Sequence, residues 1–334
     1  MSIKNWPGGR IGPTPPTPTG PYQDGVASGV WTLDQVAYWL QQGLWPVAGN
    51  VNVRGVFSIG SSNVMDYITV ATLGNSTNFG QLPTVKIENA ACASATRGVF
   101  GGGFISSSST YSATMDYITL ATTGNSTSFG NLSVGRDGPG ACASTTRGLF
   151  AAGTATGNVR QSSIDYITIA TTGAATNFGN ITTATFGLAG LSSSTRGVFG
   201  GGFIGVASRT AVMEYVTIAT TGNSTNFGNL TAGRQTIGTC SSGVRGVFAG
   251  GGGSASSSVI DYITIATTGN ATTFGNLTAN SFVASGCSSS TRGVFSFSSS
   301  TLNYITIATT GNSVFFGTLS STNGSYAACG TSIL

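Results

Sequence analysis

The chain has 334 residues, of which 7% are charged and 40% are hydrophobic, a balance that excludes a disordered polyampholyte. Histidine is absent, so the commonest general base and the commonest transition-metal ligand are both missing. The 13 basic residues form no run, and no apolar run approaches the roughly 18 residues that span a bilayer, which argues against a nucleic-acid partner and against membrane insertion.

Residues 1–50 differ in composition from everything after them, because they hold all four tryptophans and seven of the nine prolines. The proline-rich stretch 13–18 predicts an extended, stiff spacer. Thr32 and Gln35 form a capping box, which predicts a short helix over residues 33–42. We therefore expect an N-terminal arm whose tryptophans anchor it to another surface. The candidate anchors are Trp6, Trp31, Trp39 and Trp45.

Four short markers recur six times after residue 50. The tetrapeptide Arg-Gly-(Val/Leu)-Phe begins at Arg54, Arg97, Arg147, Arg196, Arg245 and Arg292. A tyrosine, preceded by an acidic residue in five of the six repeats, stands at Tyr67, Tyr117, Tyr166, Tyr215, Tyr262 and Tyr304. A Phe-Gly pair follows 12 residues later, at Phe79, Phe129, Phe178, Phe227, Phe274 and Phe316. A cysteine or, once, a leucine follows 13 residues after that, at Cys92, Cys142, Leu191, Cys240, Cys287 and Cys329.

Each repeat of 43 to 50 residues has the pattern of four short strands, with a Thr-Gly-Asn hairpin turn between the third and the fourth. Such repeats predict a six-bladed, all-β propeller over residues 51–334. The first repeat lacks the Ala-Cys strand, whereas the chain ends with one. Residues 325–333 are therefore expected to complete the blade begun by residues 53–82 and to close the ring.

The five cysteines form no Cys-x-x-Cys motif and are odd in number, so they indicate neither a zinc site nor a full set of disulfides. One cysteine per repeat is typical of a small, buried side chain at equivalent positions of a ring. No metal and no cofactor is predicted.

Length varies between the second and third strands of the repeat, and content varies in the segment that joins one repeat to the next. In an up-and-down blade both loops project from the same face, so that face is individual to each blade. The charges in these segments are Lys86, Glu88, Arg136, Asp137, Arg160, Arg209 and Arg234. The candidate contacts to a partner or an anionic glycan are Lys86, Arg136, Arg160, Phe186, Arg209, Arg234 and Phe282. The alternative is that these loop charges only keep the protein solvated.

The repeat arginines and the acidic residues beside the repeat tyrosines are expected to form one buried ion pair in each blade. Three such pairs are Arg97 with Asp116, Arg147 with Asp165, and Arg196 with Glu214. Asn303 replaces the carboxylate in the last repeat, so Arg292 is expected to have a different partner.

The order of markers, with a glycine-rich strand end, a tyrosine in the next strand and an aromatic residue twelve positions later, resembles the kelch repeat and the galactose-oxidase-like propeller. The kelch tryptophan is replaced here by the phenylalanine of Phe-Gly. The resemblance bears on the fold far more than on the function.

The segment Ser28-Gly-Val-Trp-Thr-Leu-Asp-Gln-Val-Ala-Tyr-Trp-Leu-Gln-Gln-Gly-Leu-Trp-Pro46, followed by Asp-Tyr-Ile-Thr-Ile-Ala-Thr-Thr-Gly-Asn repeats, resembles structural proteins of tailed marine bacteriophages. The resemblance implies a virion component of the tail, fibre or appendage. Its arm, residues 1–50, would dock on other virion proteins, and its propeller would contact a host-surface glycan or protein.

Two other function classes are alternatives. A lectin-like propeller without a virion role would use repeated clefts or Thr-Gly-Asn turns as equivalent sugar sites. An enzyme is disfavoured, because the histidine copper ligands of galactose oxidase have no counterpart here. A sialidase-like site needs an arginine cluster with a tyrosine–carboxylate nucleophile, and Tyr215 beside Glu214 is only one instance of the repeated acidic-Tyr pair.

Overall fold

The computed structural model describes residues 53–205, 208–253, 255–282, 285–297, 299–321 and 325–330, and the backbone of residues 5–6 and 9–10. The chain divides into two compact units, Met1–Val53 and Arg54–Leu334. In the first unit, strand β1 (Asn5–Trp6) pairs antiparallel with β2 (Gly9–Arg10). The helix expected at 33–42 and the anchors Trp31, Trp39 and Trp45 lie outside the described residues, as does the side chain of Trp6.

The second unit consists of six four-stranded antiparallel sheets, the blades of a propeller. Blade I contains β3 (Arg54–Ile59), β4 (Val64–Thr69), β5 (Thr77–Gln81) and β32 (Ser325–Gly330). Blade II contains β6 (Ala90–Ala93), β7 (Arg97–Gly101), β10 (Thr114–Thr119) and β11 (Thr127–Asn131). Blade III contains β12 (Gly140–Ala143), β13 (Arg147–Ala151), β16 (Ser163–Thr168) and β17 (Thr176–Asn180).

The remaining blades repeat this order. Blade IV contains β18 (Ala189–Ser192), β19 (Arg196–Gly200), β22 (Val212–Thr217) and β23 (Thr225–Asn229). Blade V contains β24 (Gly238–Ser241), β25 (Arg245–Ala249), β26 (Ser257–Thr264) and β27 (Thr272–Ser281). Blade VI contains β28 (Ser285–Ser288), β29 (Arg292–Ser296), β30 (Thr301–Thr306) and β31 (Val314–Thr318). Blades II, III and IV each add a two-stranded hairpin: β8 (Phe104–Ile105) with β9 (Thr110–Tyr111), β14 (Thr154–Ala155) with β15 (Val159–Arg160), and β20 (Phe203–Gly205) with β21 (Ser208–Arg209).

The ring closes as the sequence predicts. Strand β32 pairs with β3, placing Cys329 opposite Val56, and it also contacts the innermost strands of blades II and VI. Blade I is therefore built from two distant parts of the chain. The all-β class, the six blades and their four strands are confirmed.

The core lies between neighbouring blades. The phenylalanines of the six Arg-Gly-(Val/Leu)-Phe segments are buried, and each repeat tyrosine packs edge-on against the Phe-Gly ring of its own blade at 6.0 to 6.1 Å between centroids. In strand β10 burial alternates from Asp116 to Thr119, whereas Met115 and Asp116 are both buried where the pairing with β11 shifts register. The repeat markers are thus the core of the fold.

The cysteine position explains the glycine of the same tetrapeptide. Cys142 is 5% exposed, and a Cβ added to Gly197 of the next blade would lie 2.7 Å from its Sγ. Leu191 fills the equivalent space against Gly246. The expected burial of this position is confirmed at Cys92, Cys142, Leu191, Cys240 and Cys287. Burial also raises the pKa of the Cys142 and Cys240 thiols.

The repeat arginines bond across blades, and the ion pairs expected within each blade are corrected. Each guanidinium donates to two consecutive backbone carbonyls of the next blade, at 2.7 to 3.1 Å, and lies 4.2 to 4.8 Å from the tyrosine ring of its own blade. Arg97, for example, binds Ile169 and Ala170, whereas Asp116 lies opposite Phe100, three residues away along β7. Arg147 and Arg196 likewise bind backbone carbonyls of the next blade, and the residues opposite Asp165 and Glu214 lie three positions further along their strands. Arg292 forms the same type of bond to the next blade.

The Thr-Gly-Asn turns form a second seam between blades. Gly124 donates its backbone N–H to the carbonyl of Phe79, and the Asn125 side-chain oxygen accepts from the N–H of Gln81, in the outer strand of the preceding blade. The equivalent asparagines that accept in this way are Asn75, Asn223, Asn270 and Asn312. These bonds cover the outer edge of each sheet, which would otherwise offer unpaired backbone groups.

Candidate binding site

The variable segments meet on one face of the ring. At four junctions between blades, the residue eight positions after the Phe-Gly phenylalanine forms a backbone bridge with the third residue beyond the second strand of the next blade. The bridges are Ile87 with Phe104, Asp137 with Thr154, Phe186 with Phe203, and Gln235 with Gly252. The connecting segments and the hairpins β8–β9, β14–β15 and β20–β21 therefore share a surface, called here the hairpin face. The opposite surface, formed by the Thr-Gly-Asn turns, is the turn face.

The hairpins of adjacent blades contact one another. The Tyr111 hydroxyl of β9 donates to the Asn158 side-chain oxygen, 2.6 Å away, in the turn of the next hairpin. Asn158 has a φ of 60°, a left-handed conformation that asparagine tolerates better than most residues. Because the turn holds this shape, the Asn158 oxygen is directed toward blade II.

A cavity of about 340 Å³ opens on this face across blades II to V. Its lining residues are Tyr111, Asp137, Thr154, Asn158, Arg160, Phe186, Phe203, Arg209 and Gln235. Asp137, Phe186 and Gln235 occupy the same repeat position in three successive connecting segments, so the ring geometry brings three different chemical groups into one site.

One side of the cavity is cationic and aromatic. The guanidinium carbons of Arg160 and Arg209 lie 5.1 and 5.2 Å from the centroid of the Phe203 ring. Arg160 lies against the backbone of Gly205, where a Cβ would stand 2.7 Å from its Nη2. Arg160 belongs to none of the three salt bridges formed within the described parts of the chain. Its charge is available to a ligand anion.

The other side is acidic. Burial, then the charge of Asp137 and a hydrogen bond to it, raise the pKa of Glu88 to about 7. Burial raises the pKa of Asp137 to about 6, while backbone hydrogen bonds from Asp137 and Thr154 and the bond with Glu88 oppose the shift. Glu88 therefore retains its proton longer than Asp137 does and can donate it to the Asp137 carboxylate.

Two buried oxygen acceptors of the lining have no hydrogen-bond partner. They are Oε1 of Gln235, whose residue is only 8% exposed, and Oδ1 of Asp137. A buried acceptor without a donor costs about 1–3 kcal/mol, so a donor from outside the chain would be favourable here.

Three of the seven candidate contact residues are placed elsewhere, and this expectation is corrected. Lys86, Arg136 and Arg234 are at most 3% exposed and form salt bridges with Asp116, Asp165 and Asp261 at 2.8, 3.1 and 2.6 Å. They are thus the partners of the repeat carboxylates, reached from the connecting segment of the preceding blade. Burial lowers the pKa of Arg136 and Arg234, and the neighbouring carboxylates oppose that shift.

Comparison of the blades shows how charge is balanced at this position. Lys86, Arg136 and Arg234 each stand seven residues after a Phe-Gly phenylalanine, where the other described repeats have Thr185 and Ser281. Ser281 takes the place of the cation, and Asn303 in the next blade takes the place of its carboxylate partner. Both charges of this pair are therefore absent together. Glu214, which follows Thr185, accepts instead from the backbone N–H and the hydroxyl of Thr182.

The other candidate residues lie on the hairpin face. Arg160, Phe186 and Arg209 line the cavity. Phe282 is 42% exposed and its ring covers Gly252, outside the lining. Sequence reasoning did not single out Tyr111, Asn158, Phe203 or Gln235. The signal that could have identified Gln235 is its repeat position, which it shares with Phe186 and Phe282.

No protein-family model and no curated protein sequence matches the chain. Among the described residues, no helix is long and apolar enough to cross a membrane. Over the same residues, cysteine and acidic side chains form no group of three or more that could hold a metal ion.

Proposed function

We propose that this protein is a non-enzymatic virion component of a tailed bacteriophage, of tail, fibre or appendage type, with a kelch-like propeller. Residues 1–50 dock it on neighbouring virion proteins, and the hairpin face of the propeller binds a further molecule. The support for the virion role is the resemblance of the segment 28–46 and of the Asp-Tyr-Ile-Thr repeats to such proteins.

The observation that carries the binding role is the contrast between the two faces. On the turn face, repeated side chains are occupied by bonds between blades, such as those of Arg97 and Asn125. On the hairpin face, three hairpins of different sequence surround a cavity with unpartnered acceptors. A surface that departs from the repeat where the fold does not require it is typical of a recognition site.

The virion role is tested on purified phage particles whose genome encodes the chain. An antibody against the full chain should label particles at one defined structure in electron microscopy, and mass spectrometry should find the chain in every particle preparation. A variant deleted for residues 1–50 should be absent from particles while still folding as a propeller. A chain missing from particles throughout would contradict the virion role.

A lectin-like propeller without a virion role is the second candidate. Equivalent small cavities lie beside the Thr-Gly-Asn turns of blades I and IV, lined by Tyr67 and Thr77 in one and by Tyr215 and Thr225 in the other. Equivalent polar pockets around a ring would suit a repeated sugar ligand. Glycan binding by a chain that never enters particles would favour this candidate.

A further inference from the structure

We propose that the cavity of the hairpin face binds a saccharide that carries a carboxylate, with the sugar carboxylate at Arg160 and Arg209 and sugar hydroxyls at Gln235 and Asp137. The inference rests on the binding role proposed above for the hairpin face. It names the ligand class of that site.

The cationic side selects an anion. Arg160 and Arg209 stand beside the same Phe203 ring, and Arg160 is in no salt bridge within the part of the chain that the structure describes. Guanidinium groups present paired N–H donors that match the two oxygens of a carboxylate, and such charge-assisted bonds are stronger than neutral ones. Two neighbouring arginines therefore favour a ligand with at least one carboxylate.

The opposite side selects hydrogen-bond donors. Gln235 Oε1 and Asp137 Oδ1 are buried, lack partners and belong to the lining. Both atoms accept hydrogen bonds, and in the site they require O–H or N–H groups on the ligand. A simple anion such as phosphate or sulfate offers few such donors. A sugar ring offers several hydroxyl groups at fixed spacing.

The aromatic residues favour a sugar over an acidic peptide. Phe186, Phe203 and Tyr111 contribute apolar ring surface to the same cavity that contains the charged and amide groups. The C–H faces of a pyranose ring are apolar while its edges are polar, and aromatic side chains present complementary surfaces of this kind. The volume of about 340 Å³ suits one or two sugar rings.

The experiment measures binding by calorimetry on the full chain. The probes are the trimers of galacturonate, glucuronate, mannuronate and N-acetylneuraminate, the neutral trimers of galactose and glucose, and tri-glutamate as an acidic peptide. We expect saturable binding of at least one carboxylated trimer and none of the neutral sugars or the peptide. No binding of any carboxylated trimer at millimolar concentration would overturn the proposal, as would preference for a neutral sugar or for the peptide.

Three variants locate the site. Arg160→Gln should weaken binding about tenfold or more, because it removes a charge-assisted contact. Val159→Ser, at the neighbouring and 57% exposed position of β15, should leave affinity unchanged. Gln235→Leu should weaken binding while raising the melting temperature, since it removes a buried acceptor without a partner. A purely structural glutamine would instead lower the melting temperature, and unchanged affinity in Arg160→Gln would place the ligand elsewhere.

These measurements separate the two proposals. A chain that binds carboxylated saccharides but is absent from particles removes the virion role and leaves the cavity assignment in place. A chain present in particles that binds none of the four carboxylated trimers removes the cavity assignment and leaves the virion role.

Discussion

The two faces of the propeller use the same kinds of side chain for different ends. On the turn face, the arginine of each repeat bonds to backbone carbonyls of the next blade, and the asparagine bonds to a backbone N–H of the preceding one. On the hairpin face, Arg160 and Arg209 contact Phe203 around an open cavity. Repetition of a polar residue in this protein therefore indicates assembly of the ring. Polar residues that occur in only one repeat are therefore the candidates for ligand binding.

The buried ion pairs reached from the hairpin face modify this comparison. Arg136 lies in a variable segment yet is fully buried, with bonds to Asp165 and to the carbonyls of Ala152 and Ser163. A variable sequence can thus still serve the fold. Substitutions on each face separate the residues that hold the ring together from those available to a ligand.

The largest effect is expected from Arg136→Ala. It leaves Asp165 buried without its cation, which should lower the free energy of unfolding by about 3–5 kcal/mol. Urea denaturation measures this change. The double variant Arg136→Ser with Asp165→Asn copies the Ser281 and Asn303 combination and should recover most of the loss. A double variant as unstable as the single one would contradict the charge-balance explanation.

A smaller effect is expected from Gly197→Ala. Its Cβ would stand 2.7 Å from the Cys142 Sγ, so one of the two groups must shift, at about 1–3 kcal/mol. Combining it with Cys142→Ala opens space and should restore part of the stability. Gly173→Ala, where a Cβ would meet nothing within 4 Å and the backbone is not in the left-handed region, is the matched control for overpacking. Thermal unfolding followed by circular dichroism distinguishes the three variants.

The acidic pair should make stability depend on pH. The pKa of Glu88 is raised from 4.5 to about 7 in the folded state, so the folded protein binds more protons than the unfolded chain between those values. Stability from this group therefore falls as pH rises from about 4.5 to about 7 and is constant above that. Partial exposure limits the total to about 1–2 kcal/mol.

Glu88→Gln tests the sign. The variant should gain stability relative to the parent chain across that pH range, because glutamine does not ionise and can still donate to Asp137. The difference between the two proteins, measured by urea denaturation at several pH values, cancels the titration of the carboxylates that do not contact Glu88. A constant difference would show that Glu88 ionises normally.

The smallest effects are expected on the turn face. Asn125→Ala removes the acceptor for the N–H of Gln81 and should cost about 0.5–1 kcal/mol, since water can replace an exposed bond. Blade III already has Ala174 at this position. Ala174→Asn should therefore stabilise the ring by a similar amount, and a destabilised Ala174→Asn protein would argue against the seam as described.

Much of the fold could be predicted from the sequence because the same four-stranded unit is repeated six times. The order of Arg54, Tyr67 and Phe79 recurs five more times, with 12 residues from tyrosine to phenylalanine each time, so the strands and their order follow from the pattern alone. Closure follows from the unmatched strand at residues 325–330. The arginine partners could not be predicted this way. Arg97 and Asp116 lie on paired strands of one sheet, which suggests a contact between them. The Arg97 side chain instead bonds to backbone carbonyls of blade III.

The cavity was predicted only in part for a related reason. Loop charges indicate a variable face, but sequence does not show that Lys86 turns inward while Arg160 stays in the lining. Gln235 looks like an ordinary loop residue until the ring brings it beside Asp137 and Phe186 from two other connecting segments. Such convergence depends on the curvature of the ring, which no single repeat encodes.

The composite blade I has a consequence for synthesis. Strand β3 is made early, and its partner β32 follows only after more than 260 residues, the interval between Ile59 and Ser325. At about 5–20 residues per second, the ribosome needs roughly 12–50 seconds to supply the closing strand. Through that interval β3 has an unpaired edge, which invites pairing with another chain. Translation that stops before residue 325 therefore yields an open ring, and full-length synthesis becomes the step that protects the protein from aggregation.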